Sequence, residues 1–258
     1  MPSAANLYCE RHFMSVISFS RLSLVALALA GAGLAAPAAQ AQTETQAHAA
    51  ANGGVSLGST RVIYPQGNNQ VSLAVNNTDP KATFLIQSWV ENASESKSSD
   101  FVITPPLFVM KPQKENTLRI MYVGPNNLPA DRESLYWVNV KAIPSAAKDT
   151  KGKNTLQIAV LSRIKLFVRP KNLPMASIDA PAKLRFHESG NTLTVKNPTP
   201  YYMTLVQIHA GTATLPTTMV APMSQADLKL PANAQGNITF QTINDYGANS
   251  PEQKAIIE

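Results

Sequence analysis

The sequence predicts an all-β chain built as two immunoglobulin-like β-sandwich domains, on three observations. Short runs rich in β-branched and aromatic residues recur between Val55 and Thr242, each bounded by Pro, Gly, Asn or Asp. No stretch carries a sustained helical period of apolar residues. The series breaks at Arg169-Pro170-Lys171-Asn172-Leu173-Pro174, where two prolines bracket a polar turn, and a domain boundary is expected there. Many short strands with this turn spacing are the pattern of a sandwich rather than of an α/β fold.

Taken in order, the expected strands of a first domain, residues 54–170, are 55–64, 70–75, 83–91, 117–123, 134–142 and 154–168. A second, smaller domain, residues 171–258, follows with strands over 183–186, 192–197, 203–209, 226–230 and 237–242. Between the last two strands of the first domain lies SAAKDTKGK, residues 145–153, a charged loop with nothing to pack and therefore expected to move.

Residues 1–41 read as an export signal. Arg11 and Arg21 precede the apolar segment Leu22 to Leu34, and Ala39-Gln40-Ala41 offers a cleavage point before Gln42. The apolar segment is too short for a membrane anchor. Residues 42–53 are small and polar and read as a flexible spacer. Cleavage would remove Cys9, so the exported chain must be held by its cores rather than by disulfides. It would also remove Arg11, Arg21 and Glu10, taking the net charge from +6 to +5. Export argues against a nucleic-acid partner, as does the lack of an arginine and lysine cluster or an aromatic and basic platform.

Motifs for catalysis are sparse. His187 and His209 stand apart from any metal-ligand spacing, so no metal or other cofactor is expected. No Gly-x-Ser-x-Gly elbow or phosphate-binding glycine motif is present, and the chain is read as a non-enzyme.

The richest stretch is NTLQIAVLSRIKLFVRP, Asn154 to Pro170, with Leu156, Ile158 and Val160 on one face of an extended chain and cations toward its end. Two readings stand at this point. One is a buried sandwich strand; the other is an edge strand whose side chains complete another protein's core.

Five ordered motifs carry a family resemblance: Thr60-Arg61-Val62-Ile63-Tyr64-Pro65, Leu128 to Pro144 (LPADRESLYWVNVKAIP), Ser162 to Pro170 (SRIKLFVRP), Asn197 to Tyr202 (NPTPYY) and Thr242 to Gly247 (TINDYG). From Gly54 onward the chain resembles the periplasmic pilus chaperones of the chaperone/usher pathway, above all those of type 1 pili. The resemblance implies a boomerang of two immunoglobulin-like domains in the periplasm that binds pilin subunits by donor-strand complementation and passes them to an outer-membrane usher. It further implies that Arg61 and Lys165 grip the pilin's terminal carboxylate, and that Leu156, Ile158 and Val160 are the donated residues. Glu133, Arg169 and Asp245 match the family's interdomain charge cluster.

Lys165 is odd-numbered and the three donated residues are even, so an unbroken strand would put them on opposite faces. A one-residue bulge near Ser162 or Arg163 is therefore expected, leaving Ala159, Leu161, Ile164 and Leu166 to line the domain's own core. The alternative reading is a pilus structural subunit or another periplasmic β-sandwich binding protein. A structural subunit is disfavoured by the polar spacer and the missing cysteine pair, and a periplasmic hydrolase or metal-binding sandwich by the missing nucleophile and histidine motifs.

Overall fold

The computed structural model describes residues 53–145, 156–232, 234 and 236–258. The export signal, nearly all of the spacer and the loop from 146 to 153 lie outside the described residues. The all-β expectation holds. The first sandwich contains β1 (Val55–Leu57), β2 (Arg61–Pro65), β3 (Val71–Asn77), β4 (Phe84–Asn92), β5 (Phe101–Thr104), β6 (Leu107–Met110), β7 (Glu115–Tyr122), β8 (Ser134–Pro144) and β9 (Val160–Arg169). The second contains β10 (Arg185–Ser189), β11 (Thr192–Asn197), β12 (Met203–Ala210), β13 (Ala213–Leu215), β14 (Thr218–Val220), β15 (Ser224–Lys229), β16 (Ile238–Thr242) and β17 (Gln253–Lys254). Two short 3-10 turns, Ser177–Asp179 and Pro181–Lys183, lie between them.

In the first sandwich a sheet ordered β1-β3-β7-β5 packs against one ordered β2-β9-β8-β4-β6. Leu73, Val75, Ile86, Leu118, Ile120, Val138, Val140 and Leu166 meet between them, and burying each such side chain is worth about 1.5–3 kcal/mol as an upper estimate. In the second, β10-β11-β15 faces a sheet built on β12 and β16, with Phe186, Leu193, Leu205, Ile208 and Phe240 at the centre.

The expected strand 55–64 divides in two. Gly58-Ser59-Thr60 lets the chain leave one sheet and enter the other, so β1 pairs with β3 and β2 pairs with β9. The sequence reading passed over β5 and β6, because Thr104-Pro105-Pro106 cuts that stretch into pieces of four residues each. It also passed over β13, β14 and β17, which are three residues or fewer.

The bulge is absent. Pairing between β8 and β9 runs in one unbroken register from Ser134 opposite Val168 to Ala142 opposite Val160. Even-numbered Ile164, Leu166 and Val168 face the domain's own core, while Ala159 and Leu161 are exposed. Val160, the first residue of β9, shares the even-numbered alternation, whereas Leu156 and Ile158 precede the strand, which begins six residues later than the expected 154 because pairing with β8 ends at Ala142. The parity problem had assumed that donated and core residues must lie on opposite faces. Of the three, Val160 lies within β9 on the same alternation as the core residues, and the odd-numbered face carries Arg163, Lys165, Phe167 and Arg169.

A buried asparagine closes a corner of each sandwich. Asn77 donates to the carbonyls of Ala82 and Lys111, and Asn197 donates to those of Tyr201, Val220 and Ala221. The Asn197 clamp fixes the turn through Pro200 and Tyr202, which meets the first sandwich.

Candidate functional site

β2 and β9 run parallel, and Arg61 is the register partner of Lys165. Partners in a parallel ladder project to the same side, so two cations stand together on the odd face of the sheet. Val62 and Tyr64 turn the other way into the core. Arg61 is only 8% exposed. Its Nη1 donates to the Ile243 carbonyl at 3.1 Å, while its buried Nε has no hydrogen-bond partner. Lys165 Nζ donates to Thr204 Oγ1 at 3.2 Å. Burial, and then the neighbouring Arg61 charge, hold the Lys165 ammonium below the usual lysine pKa.

Four residues further along β9, Arg169 joins the two sandwiches. Its Nε donates to Glu133 Oε1 at 2.8 Å, and its two Nη groups grip both oxygens of Asp245 at 2.7 Å. Ser177 Oγ donates to the same Asp245 at 2.9 Å, and Glu133 Oε2 accepts from the Tyr202 backbone N–H at 2.8 Å. The Glu133 N–H in turn donates to the Pro200 carbonyl at 2.9 Å. The Arg169 guanidinium also lies 4.9 Å from the centre of the Tyr201 ring.

Burial pushes the Glu133 carboxyl above its ordinary value, which Arg169 and the Tyr202 N–H offset only in part. For Asp245, burial also raises the carboxyl, but the hydrogen bonds and charge of Arg169 outweigh it and leave a value below the usual aspartate. Burial works against charged Arg169 as well, yet its bonds to Asp245 and the charge of Glu133 hold it above its ordinary value. A trio that spends much of its attraction on desolvation fixes an orientation more than it adds net stability.

The turn bearing Ile243 and Asp245 is shaped by Asn244, whose Oδ1 accepts from the N–H groups of Tyr246 and Ala248. Gly247 has a φ of +83°, and a Cβ there would collide with the Thr60 hydroxyl next to Arg61. Only glycine allows that approach. Phe167, on the odd face of β9, stacks on Tyr202 with ring centres 5.4 Å apart. A cavity of about 200 Å³ lies between the sandwiches, lined by Arg61, Phe167, Arg169, Tyr202, Ile243 and Asp245 among others. Lys165 stands outside it, on the side of the free strand edge.

That edge is the other half of the site. Leu156, Ile158 and Val160 are 87%, 65% and 57% exposed. β2 covers one side of β9 from Lys165 to Arg169, whereas from Leu156 to Ile164 that side has no strand beside it among the described residues. Gln157 donates its side-chain amide to the Pro144 carbonyl, which ties the exposed segment back to β8. The structure thus groups Arg61 with Lys165, and Glu133 with Arg169 and Asp245. It places Val160 at the start of the strand that leads to Lys165, with Leu156 and Ile158 in the segment just before it.

The sequence reading did not find Thr204, the Ile243 carbonyl or the Tyr202 N–H. Tyr202 lies in the NPTPYY motif, but a backbone donor leaves no trace in residue type. Thr204 reads as one β-branched strand residue among many. Among the described residues, no group of three or more His, Cys, Asp or Glu stands close enough to hold a metal ion.

Comparison with known proteins agrees over both sandwiches. Residues 54–174 match the pili and flagellar-assembly chaperone family, PapD N-terminal domain, and residues 179–254 match the pili assembly chaperone PapD, C-terminal domain. The chain is 54% identical to chaperone protein FimC of Escherichia coli K12 over 208 residues, covering 81% of this chain and 86% of that protein. It is 51% identical to chaperone protein FocC of Escherichia coli over 206 residues, covering 80% and 91%. Among solved structures, the periplasmic chaperone SfaE superposes with a TM-score of 0.70 at 51% identity, over 79% of this chain and all of that one. The Salmonella enterica SafA pilin in complex with the SafB chaperone matches with a TM-score of 0.72 at 33% identity, covering 78% and 95%.

Proposed function

This chain belongs to the PapD family of pilus-assembly chaperones, and from that premise we propose that it captures pilin subunits by lending them the segment Leu156–Ile164 and holding their terminal carboxylate between Arg61 and Lys165. The observation that carries the reading is an exposed apolar edge ending beside two paired cations. An apolar strand edge left uncovered invites aggregation, so it makes sense when a partner covers it.

The direction of the added strand follows from the sheet. β2 blocks the edge of β9 beyond Lys165, so a chain whose terminal carboxylate reaches Arg61 and Lys165 must lie along Leu156–Ile164 with its end toward Lys165. It then runs the same way as β9, as a parallel strand continuing the line of β2. Nine residues extended against a partner at about 3.3 Å each give roughly 30 Å of edge. Both backbone pairing and side-chain insertion are available along it.

Charge favours the same arrangement. Around the junction, Arg61, Lys165 and Arg169 face Glu133 and Asp245, three cations against two carboxylates, and one further carboxylate makes the group neutral. Each charge-assisted hydrogen bond to it contributes about 1.5–3 kcal/mol when sheltered. Three aliphatic side chains entering a groove contribute up to about 1.5–3 kcal/mol each before ordering costs, so the apolar residues dominate affinity and the cations fix register.

The domain limits follow the same scheme: a signal over 1–41, a spacer over 42–53, a pilin-binding sandwich over 54–170 and a second sandwich over 171–258. The signal delivers the chain to the periplasm, and no helix among the described residues is long and apolar enough to cross a membrane. The SafA and SafB pairing supports a pilin as the partner. An outer-membrane usher is the receiver, and capture is stoichiometric, with no catalytic step. Mixing the mature chain with a denatured pilin subunit from the same cell and separating the products by size tests this. A stable one-to-one complex is expected. A pilin that aggregates equally with and without the chain overturns it.

A further inference from the structure

The two cations of the first sandwich meet two acceptors of the second, and those acceptors are themselves joined. Lys165 donates to Thr204 Oγ1, Arg61 donates to the Ile243 carbonyl, and the Ile243 N–H donates to the Thr204 carbonyl at 3.0 Å. A register pair on one domain thus faces a hydrogen-bonded pair on the other. We propose that Thr204 is a positioning residue for carboxylate capture: together with the Ile243 carbonyl, it aims Lys165 and Arg61, so that the anion site is assembled from both sandwiches rather than from the first alone.

The chemistry of the acceptors supports this. A hydroxyl and a carbonyl hold a cation in place without neutralising it, whereas a carboxylate in either position would form an ion pair and compete with the ligand. An ammonium has three donors and a guanidinium has five, so one bond from each leaves the others free. Arg61 Nε is one of these, buried and unpartnered. Lysine carries four rotatable bonds, and holding it in one arrangement before binding removes an ordering cost from capture. Thr204 is 2% exposed and its side-chain oxygen serves only Lys165 among the described hydrogen bonds, so its hydroxyl has no other evident duty. The Glu133, Arg169 and Asp245 trio sets the orientation that brings the acceptors to the cations, which makes the interdomain contact a working part of the site.

This rests on the carboxylate grip proposed above, and the two are separable by experiment. Dissociation constants are measured for a nine-residue peptide of alternating apolar residues, ending either in a free carboxylate or in an amide. The chains compared are the mature protein, Thr204→Val and Thr204→Ser. The wild type is expected to prefer the carboxylate. Thr204→Val, which keeps shape and β-branching, is expected to lose about tenfold in affinity for the carboxylate peptide and nothing for the amide, as for one lost orienting hydrogen bond. Thr204→Ser is expected to restore the preference. Equal losses for both peptides, an unchanged preference in Thr204→Val, or no rescue by serine overturns the inference while leaving the grip intact. A wild type indifferent to carboxylate and amide overturns the grip and this inference with it.

Discussion

Arg61 and Lys165 are register partners in the parallel ladder between β2 and β9, so two positive side chains lie side by side on a largely buried face. Like charges placed opposite each other cost stability in a sheet. The arrangement is explicable when an anion joins them. The lowered Lys165 value has a direct consequence for function, since burial and Arg61 both favour its neutral form. As pH rises, Lys165 loses its proton earlier than an ordinary lysine does, so the proposed carboxylate capture is expected to weaken on the alkaline side below the usual lysine pKa. Lys165→Arg keeps its charge throughout and is expected to remove that alkaline limb; an unchanged pH profile of peptide binding in this variant speaks against the grip. Arg61→Ala and Lys165→Ala are each expected to weaken capture about ten- to hundredfold while leaving the circular dichroism spectrum unchanged.

Arg169 is the cation shared by Glu133 and Asp245, one from each sandwich. Arg169→Ala leaves two carboxylates near each other with no cation between them, one of them almost fully buried. Removing one partner of a buried pair costs about 3–5 kcal/mol, and the partly exposed Asp245 side places this case toward the lower end. Thermal unfolding at a lower temperature and a wider interdomain angle by solution scattering are expected. An unchanged angle and midpoint would show the trio to be incidental.

Composition and turn spacing were enough to read the two-sandwich fold, because strand patterning is local. The same locality explains the misreadings. Val55 to Tyr64 carries one unbroken strand signal, and only the pairing partners β3 and β9 reveal that it serves two sheets. Phe167 is apolar on the odd face because Tyr202 of the other domain stacks on it, a contact nearly invisible in the strand's own alternation. The proposed donor residues were legible as a pattern, but that β9 starts only at Val160, after two of the three, was not. The assumption of opposite faces led to a bulge that the continuous β8 and β9 register excludes. Thr204 escaped notice because its contact with Lys165 depends on where the second sandwich docks.

The acid side of stability should report on Asp245. Its carboxyl lies below the ordinary value of 3.8, because the bonds and charge from Arg169 outweigh its burial. A depressed carboxylate contributes stability that is present above its unfolded value and is lost as pH falls through its folded value. Glu133 runs the other way, since its raised value means that protonation relieves a burial cost. Below about pH 4 the Asp245 contribution is therefore the one being lost. Asp245→Asn is expected to be less stable than wild type at pH 7 and to show a flatter decline below pH 4 in denaturant titrations. Parallel acid limbs in the two proteins would remove Asp245 from the account.

Leu156, Ile158 and Val160 are exposed and share the even-numbered alternation that, within β9, becomes the domain's own core at Leu166, which is fully buried. One stretch of chain thus offers an internal control for the donor role. Ile158→Asp puts a charge where the side chain is already mostly exposed, so the fold and its unfolding midpoint should be unchanged within about 0.5 kcal/mol. Solubility should hold or improve, because the apolar edge is interrupted. Pilin capture should fail, since an ionised carboxylate would have to enter an apolar groove without a partner. Leu166→Asp, eight residues along in the same alternation, meets the same penalty inside the sandwich and should not fold. Circular dichroism and copurification with a pilin subunit separate the two cases. An unfolded Ile158→Asp protein, or one that still retains pilin at wild-type levels, rejects the donor strand.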